Sequence, residues 1–168
     1  MQSRESFESE SLRDPDLAQP EGGETASTHY FVFRLRGRTY ALRPTCIDLV
    51  TPMQPVVPVP TAGPHVRGVI HLRGRVIAVI DLAALLAIDD QAPLPDSARL
   101  IITAGRTPFA FVADATLGIW AFADDAQTRS TDDGPIVCGR IEDRGGAATL
   151  IDVRAIVDRV ISLRGERP

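Results

Sequence analysis

The chain has 168 residues, 44% hydrophobic and 24% charged, an ordinary globular composition with room for one domain or two very small ones. Its net charge of −4 is unevenly placed: residues 1–28 hold seven acids against Arg4 and Arg13, a balance of −5, and leave a body at +1. A near-neutral body argues against nucleic acid as a ligand, because phosphate binding usually needs a clearly basic face.

No apolar run reaches the roughly 18 residues of a membrane span, so no membrane insertion is expected. The acidic, polar start lacks a signal-peptide pattern, so a cytoplasmic location is expected. All 18 basic residues are arginine, so lysine Schiff-base chemistry and a P-loop lysine are excluded. Aromatic residues make up only 5%, and a core built from Val, Ile, Leu and Ala favours β-structure.

Residues 1–28 are rich in Glu, Ser, Pro and Gly and cannot bury enough apolar surface to offset ordering entropy, which predicts a disordered acidic tail. Order is expected from His29. A strand over 30–35, a tight turn at Arg36-Gly37-Arg38 and a return over 39–42 follow. Pro44 permits a helical turn from Thr45 that leads to Ile47, Leu49 and Val50. Five prolines between 52 and 64 exclude a helix and confine any strand, such as 56–57, to a sheet edge.

The stretch 66–86 holds a short apolar run, the turn Arg73-Gly74-Arg75 and a second apolar run, which read as two antiparallel strands. Asp81 then caps a short helical turn over 82–86. The polar linker 89–96 separates this half from a second that repeats its pattern. Strands are expected over 100–103, 108–113 and 115–120, then a polar loop over 124–135 and a hairpin of 136–141 with 147–151. Asp152 caps a closing amphipathic helix with Val153, Ile156, Val157, Val160 and Ile161 at helical spacing.

IDLAALL at 80–86 and IDVRAIV at 151–157 form the clearest internal match. Short strands with Gly turns point to small barrels, and two barrels each too small to bury a core alone must share one.

No constellation in the sequence supports catalysis or metal binding. There is no GxSxG elbow, GxGxxG loop, Walker motif or HExxH, and His29, His65 and His71 form no cluster of metal spacing. Cys46 and Cys138 lie 92 positions apart and are expected as small buried hydrophobes; Trp120 is expected to anchor the core of the second half. No cofactor is implied. Binding remains, through Arg73 and Arg75 on their turn and apolar residues near Ile47 and Val50. Read from spacing alone, the two arginines are equally a recognition point or solvated turn residues.

The order GVIHLRGRVIAVIDL at 68–82 resembles the Gly-Val-x-Asn-Leu-Arg-Gly-x-hydrophobic-Pro-Val-hydrophobic-Asp-Leu signature of CheW-like chemotaxis coupling proteins. FRLRGRTYALRPTCIDLVTP resembles that family's opening hairpin, FAFVADATLGIW its second-half strand pair, and ATLIDVRAIV its closing hairpin and helix. Together these cover about residues 30–160.

The resemblance implies a mainly β fold: two intertwined five-stranded SH3-like β-barrels with short helices and a C-terminal helix. Its boundaries would be a tail over 1–28, a first barrel over about 29–88, a second over about 98–152 and a closing helix over about 153–163. It also implies a non-catalytic adaptor joining the cytoplasmic tip of a methyl-accepting chemoreceptor to the regulatory domain of the histidine kinase CheA. Ile47, Val50, Gly68, His71, Arg73 and Gly74 then fall where the family meets the receptor. His71 stands where the family usually has Asn, Leu49 where an acid is common, and Ala78 where Pro is usual. These departures keep open a specialised coupler of a gliding or twitching motility pathway that binds receptor without kinase; a small β-barrel module for peptide or nucleic acid is a separate alternative.

Overall fold

The computed structural model describes residues 26–60, 62–88, 92–128, 134–143 and 146–165, so most of the expected acidic tail lies outside the described residues. Residues 27 and 28, assigned to that tail by composition, open the first strand, β1 (Ser27–Leu35), where they pair with Ala123 and Phe122. Backbone pairing orders them, a signal that side-chain composition does not carry. β2 (Arg38–Leu42) returns antiparallel to β1.

A single 3₁₀ turn at Pro44–Cys46 follows, and then a strand, β3 (Ile47–Pro52), instead of an extension of the turn. Its β-branched residues pair with β6 (Arg99–Thr103), and a bulge between Ile47 and Leu49 leaves Asp48 exposed. β4 (Val66–Leu72) and β5 (Arg75–Ile80) form the central hairpin, followed by α1 (Leu82–Leu85). β7 (Phe109–Ala113) falls where expected, and β8 (Ala115–Ala123) starts where expected but runs three residues past 120. Within the stretch read as a polar loop, a two-residue strand, β9 (Gln127–Thr128), pairs with β10 (Val137–Asp143). β11 (Gly146–Ile151) and the closing helix α2 (Val153–Gly165) complete the described residues.

The strands form one sheet in the order β8-β1-β2-β11-β10-β9 and another in the order β3-β6-β7-β5-β4. The first sheet therefore has six strands where five were expected, the short β9 being the addition. Nor do residues 29–88 and 98–152 each make a sheet. β2 pairs in parallel with β11, and β5 pairs in parallel with β7, so each half gives a hairpin to the other half's sheet. The repeat read in the sequence is this exchange.

The two Ile-Asp segments play matching parts. Asp81 N donates to His65 O at 2.8 Å and Asp152 N to Ile136 O at 2.9 Å, which ties each strand end to the start of its hairpin partner. Asp81 Oδ1 accepts from Ala84 N at 3.0 Å and Asp152 Oδ1 from Arg154 N at 2.8 Å, so both carboxylates cap the helices that follow, as expected.

Period-two alternation divides the apolar residues into three clusters. Tyr30, Val32, Ala41, Phe122, Ile141 and Leu150 fill the first sheet's barrel. Ile70, Ile77, Val79, Leu100, Ile102 and Val112 fill the second. The opposite faces of the same strands meet between the barrels: Phe33, Leu35, Tyr40 and Leu42 against Ile80, Ile101, Phe109 and Phe111, with Ile156 of α2 inserted. This is the shared core that barrel size demanded. Trp120 sits at its own barrel's margin, half-buried, with Nε1 donating to Leu117 O at 3.1 Å. The two cysteines depart from the buried expectation, since Cys46 is half-buried and Cys138 is exposed.

Phe33 is fully buried, with its ring centroid 5.3 Å from that of Phe111 across the interface. Phe33→Ala should cost about 3–5 kcal/mol. Chemical denaturation followed by both Trp120 fluorescence and far-UV circular dichroism should show one coincident transition, because the barrels lose the same core together.

Candidate functional site

Arg73 (φ 49°) and Gly74 (φ 77°) connect β4 to β5 with both residues in the left-handed region, the two-residue connection whose twist matches a hairpin. Arg36 (φ 51°) and Gly37 (φ 72°) do the same between β1 and β2. The twins differ in their surroundings. Arg36 Nη1 donates to Ala92 O at 2.5 Å and Gly37 N to Asp114 Oδ2 at 3.3 Å, so that turn is tied to the body. Arg73 and Arg75 are exposed, and their side chains form no hydrogen bond or ion pair with another described residue. A charged fork on a rigid turn, with its donors unspent among the described residues, is available to a partner.

The outward face of the same hairpin continues the site. His71 is exposed and pairs across the strands with Val76, which is 71% exposed. Val69 pairs with Ala78, and both are half-buried along a groove of about 400 Å³. Val59, Gly63, Pro64 and His65 of the preceding loop, Phe109 and the α2 side chains Val157, Val160 and Ile161 form its other walls. The groove is largely apolar; His65 lines it with Nδ1 buried and without a hydrogen-bond partner among the described residues.

Gly68 belongs to the scaffold. Val57 and Val69 exchange two backbone hydrogen bonds of 2.8 Å, which bridges the proline-rich segment to the edge of β4 as the prolines required. A Cβ on Gly68 would lie 2.3 Å from the Val57 carbonyl oxygen, and its φ of 149° suits glycine. Ile47 and Val50 lie on β3, at the other edge of the sheet order from β4, and pack half-buried against the shared core. The structure thus gathers Gly68, His71, Arg73 and Gly74 on one hairpin and places Ile47 and Val50 apart from it in that order.

Val69, Val76, Ala78 and the α2 groove residues went unread as surface because both faces of β5 are apolar, so alternation in RVIAVI does not tell the inner face from the outer. Among the described residues no group of three or more His, Cys, Asp or Glu could hold a metal ion, and no helix is long and apolar enough to cross a membrane.

Two strand-exchanged barrels around a common core define a class, the paired SH3-like β-barrel proteins. The crystal structure of the scaffolding protein TtCheW from Thermoanaerobacter tengcongensis has the same fold, with a TM-score of 0.68 at 22% identity over 76% of this chain and 90% of that one. The chain belongs to the CheW-like domain family, whose model matches residues 29–165. It is 37% identical over 75 residues to the chemotaxis protein CheW of Bacillus subtilis, a match that covers 45% of this chain and 47% of that protein. It is 26% identical over 123 residues to the chemotaxis protein CheW of Thermotoga maritima, covering 71% and 80%.

The hairpin's glycines should separate by role. Gly68→Ala must displace the Val57 backbone and should cost about 3 kcal/mol, read from the denaturation midpoint. Gly74→Ala meets nothing within 4 Å and should cost only about 1 kcal/mol, from the left-handed backbone alone.

Proposed function

We propose that this protein is a non-catalytic adaptor of a chemotaxis or related chemosensory pathway, joining the cytoplasmic tip of a methyl-accepting chemoreceptor to the histidine kinase CheA. Membership of the CheW-like family and likeness to chemotaxis proteins support the pathway. The observation that carries the receptor reading is the contrast between the twin turns: Arg36-Gly37 is tied down, whereas Arg73-Gly74 is presented with its guanidinium unpaired among the described residues.

The mechanism is helix-in-groove docking. An apolar face of a receptor helix lies along Val76, Val69 and Ala78, and Arg73 reaches a carboxylate or carbonyl acceptor on that helix. His71 borders the contact as a polar neighbour. Gly74 sets the turn, and Gly68 holds β4 against Val57. Ile47 and Val50 keep only part of their side chains for a partner and act mainly by fixing β3. Kinase contacts come from a barrel edge and its turns, and kinase output changes through geometry.

Pull-downs with a receptor cytoplasmic fragment and with CheA test this reading. Arg73→Glu and Val76→Glu alter exposed side chains and should leave stability within about 0.5 kcal/mol of wild type. Each should weaken receptor capture tenfold or more, about the cost of losing an interface hot spot, and leave CheA capture unchanged. Failure of the wild-type protein to bind either partner overturns the adaptor reading, whereas undiminished receptor binding by both variants overturns the site alone.

A further inference from the structure

A second cleft, of about 840 Å³, has no wall from the β4–β5 hairpin, and the adaptor reading assigns it nothing. Its walls come from the β2–β3 connection, the β6–β7 turn, the start of β10 and the first turn of α2. Three of these walls each supply an exposed arginine: Arg43, Arg106 and Arg154. Their side chains form no ion pair or hydrogen bond with another described residue. One acid, Asp152, lines the cleft, and its Oδ1 already accepts from Arg154 N at 2.8 Å as the helix cap. Cys138 adds no negative charge. Its thiol is pushed above the ordinary range, first by partial burial and then by the Asp152 carboxylate, with a backbone hydrogen bond and Arg43 partly opposing. Three guanidinium groups against one committed carboxylate leave a cleft of net positive charge in a body that is otherwise nearly neutral.

Below these exposed arginines the cleft has an apolar floor. Leu42, Phe109, Leu150 and Ile151 line it and are buried, whereas Thr45, Thr107 and Gln127 line it and are exposed. Charged mouth and apolar floor together select among anions. A phosphate monoester carries a charge of about −1.5 to −2 near neutral pH and three acceptor oxygens, enough for more than one arginine fork. A single carboxylate has one charge and two oxygens and matches one fork. Inorganic phosphate suits the mouth and leaves the floor uncovered. A walled cleft of this size is of the kind that holds small molecules, and its low-dielectric walls strengthen the field of the arginines.

We propose that this cleft binds a small phosphate monoester with an apolar body, the phosphate held among Arg43, Arg106 and Arg154 and the body lying over Leu42, Phe109 and Leu150. Leu42 and Leu150 belong to one sheet and Phe109 to the other, so the ligand touches both barrels at once. The inference stands independently of the receptor reading, which uses other side chains.

Phenyl phosphate is the probe, and benzoate and inorganic phosphate are its controls: the first keeps the ring with one carboxylate, the second keeps the phosphate without a ring. Cys138 reports on occupancy, because it lies on the cleft wall in an exposed position. Its alkylation by the uncharged reagent N-ethylmaleimide is followed in the full-length chain, with the rate read from the labelled Cys138 peptide by mass spectrometry. Protection is the ratio of rates without and with the probe in the same chain, so changes in intrinsic thiol reactivity cancel.

At low salt, millimolar phenyl phosphate should slow labelling about threefold or more, and each control at the same concentration should give clearly less protection. In about 0.5 M salt, where screening shortens the reach of charge, the protection should disappear. Arg106→Gln with Arg154→Gln changes two exposed side chains and should bring the ratio to one. A ratio of one in the wild-type chain overturns the proposal, as does protection that survives loss of the two arginines or the added salt. Benzoate or inorganic phosphate as effective as phenyl phosphate also overturns it, since the cleft is then a general anion site. So does a glutamate-rich peptide that protects at lower concentration than phenyl phosphate, which assigns the cleft to an acidic protein.

Discussion

The contact of Phe33 with Phe111 joins a strand of one sheet to a strand of the other, and the architecture depends on the layer it belongs to. Neither small barrel encloses enough volume to retain a hydrophobic interior on its own terms. Each strand that borders the other barrel is therefore apolar on both faces. Leu100 and Ile102 turn into one barrel while Ile101 between them turns to the shared layer, and Phe109, Phe111 and Ala113 alternate in the same way with Ala110 and Val112. The apolar runs of the sequence are the mark of strands with no solvent side. The closing helix depends on the same layer through Ile156 and flanks it with Val153, Val157 and Val160.

That arrangement explains what the sequence disclosed. The hairpins around Arg36-Gly37 and Arg73-Gly74, the two Asp caps and the need for a common core follow from turn chemistry, capping and barrel size, all local or volumetric arguments. The pairing of β2 with β11 and of β5 with β7 does not, because nothing in residues 38–42 distinguishes a partner in their own half from one in the other. β3 was missed where a proline-started turn passes into a strand within three residues. β9 was missed because two exposed polar residues carry no pattern.

The candidate site was legible to a similar degree. His71, Arg73 and Gly74 are exposed at the hairpin tip, and spacing alone marked that turn while leaving its role open. Family resemblance separated Arg73 from Arg75; the structure added the contrast with the anchored Arg36 turn, which no sequence pattern shows. Gly68 was drawn into the surface by its place in the motif, whereas its close approach to the Val57 carbonyl identifies a packing constraint. Ile47 and Val50 are half-buried on β3, and a strand edge against a core and an exposed turn read alike in one dimension.

The exchange of hairpins also orders events in time. Tyr40 waits for Thr149 and Ala41 for Leu150 before β2 gains its parallel neighbour. During synthesis at about 5–20 residues per second, the open edge of β2 is presented to the cell for several seconds before its partner leaves the ribosome. Contacts of such long sequence separation also slow folding after release. A chain halted between the two halves is left with unpaired strands and half an apolar layer, a form suited to aggregation or chaperone capture. The quality of this protein in the cell is therefore decided at its last hairpin.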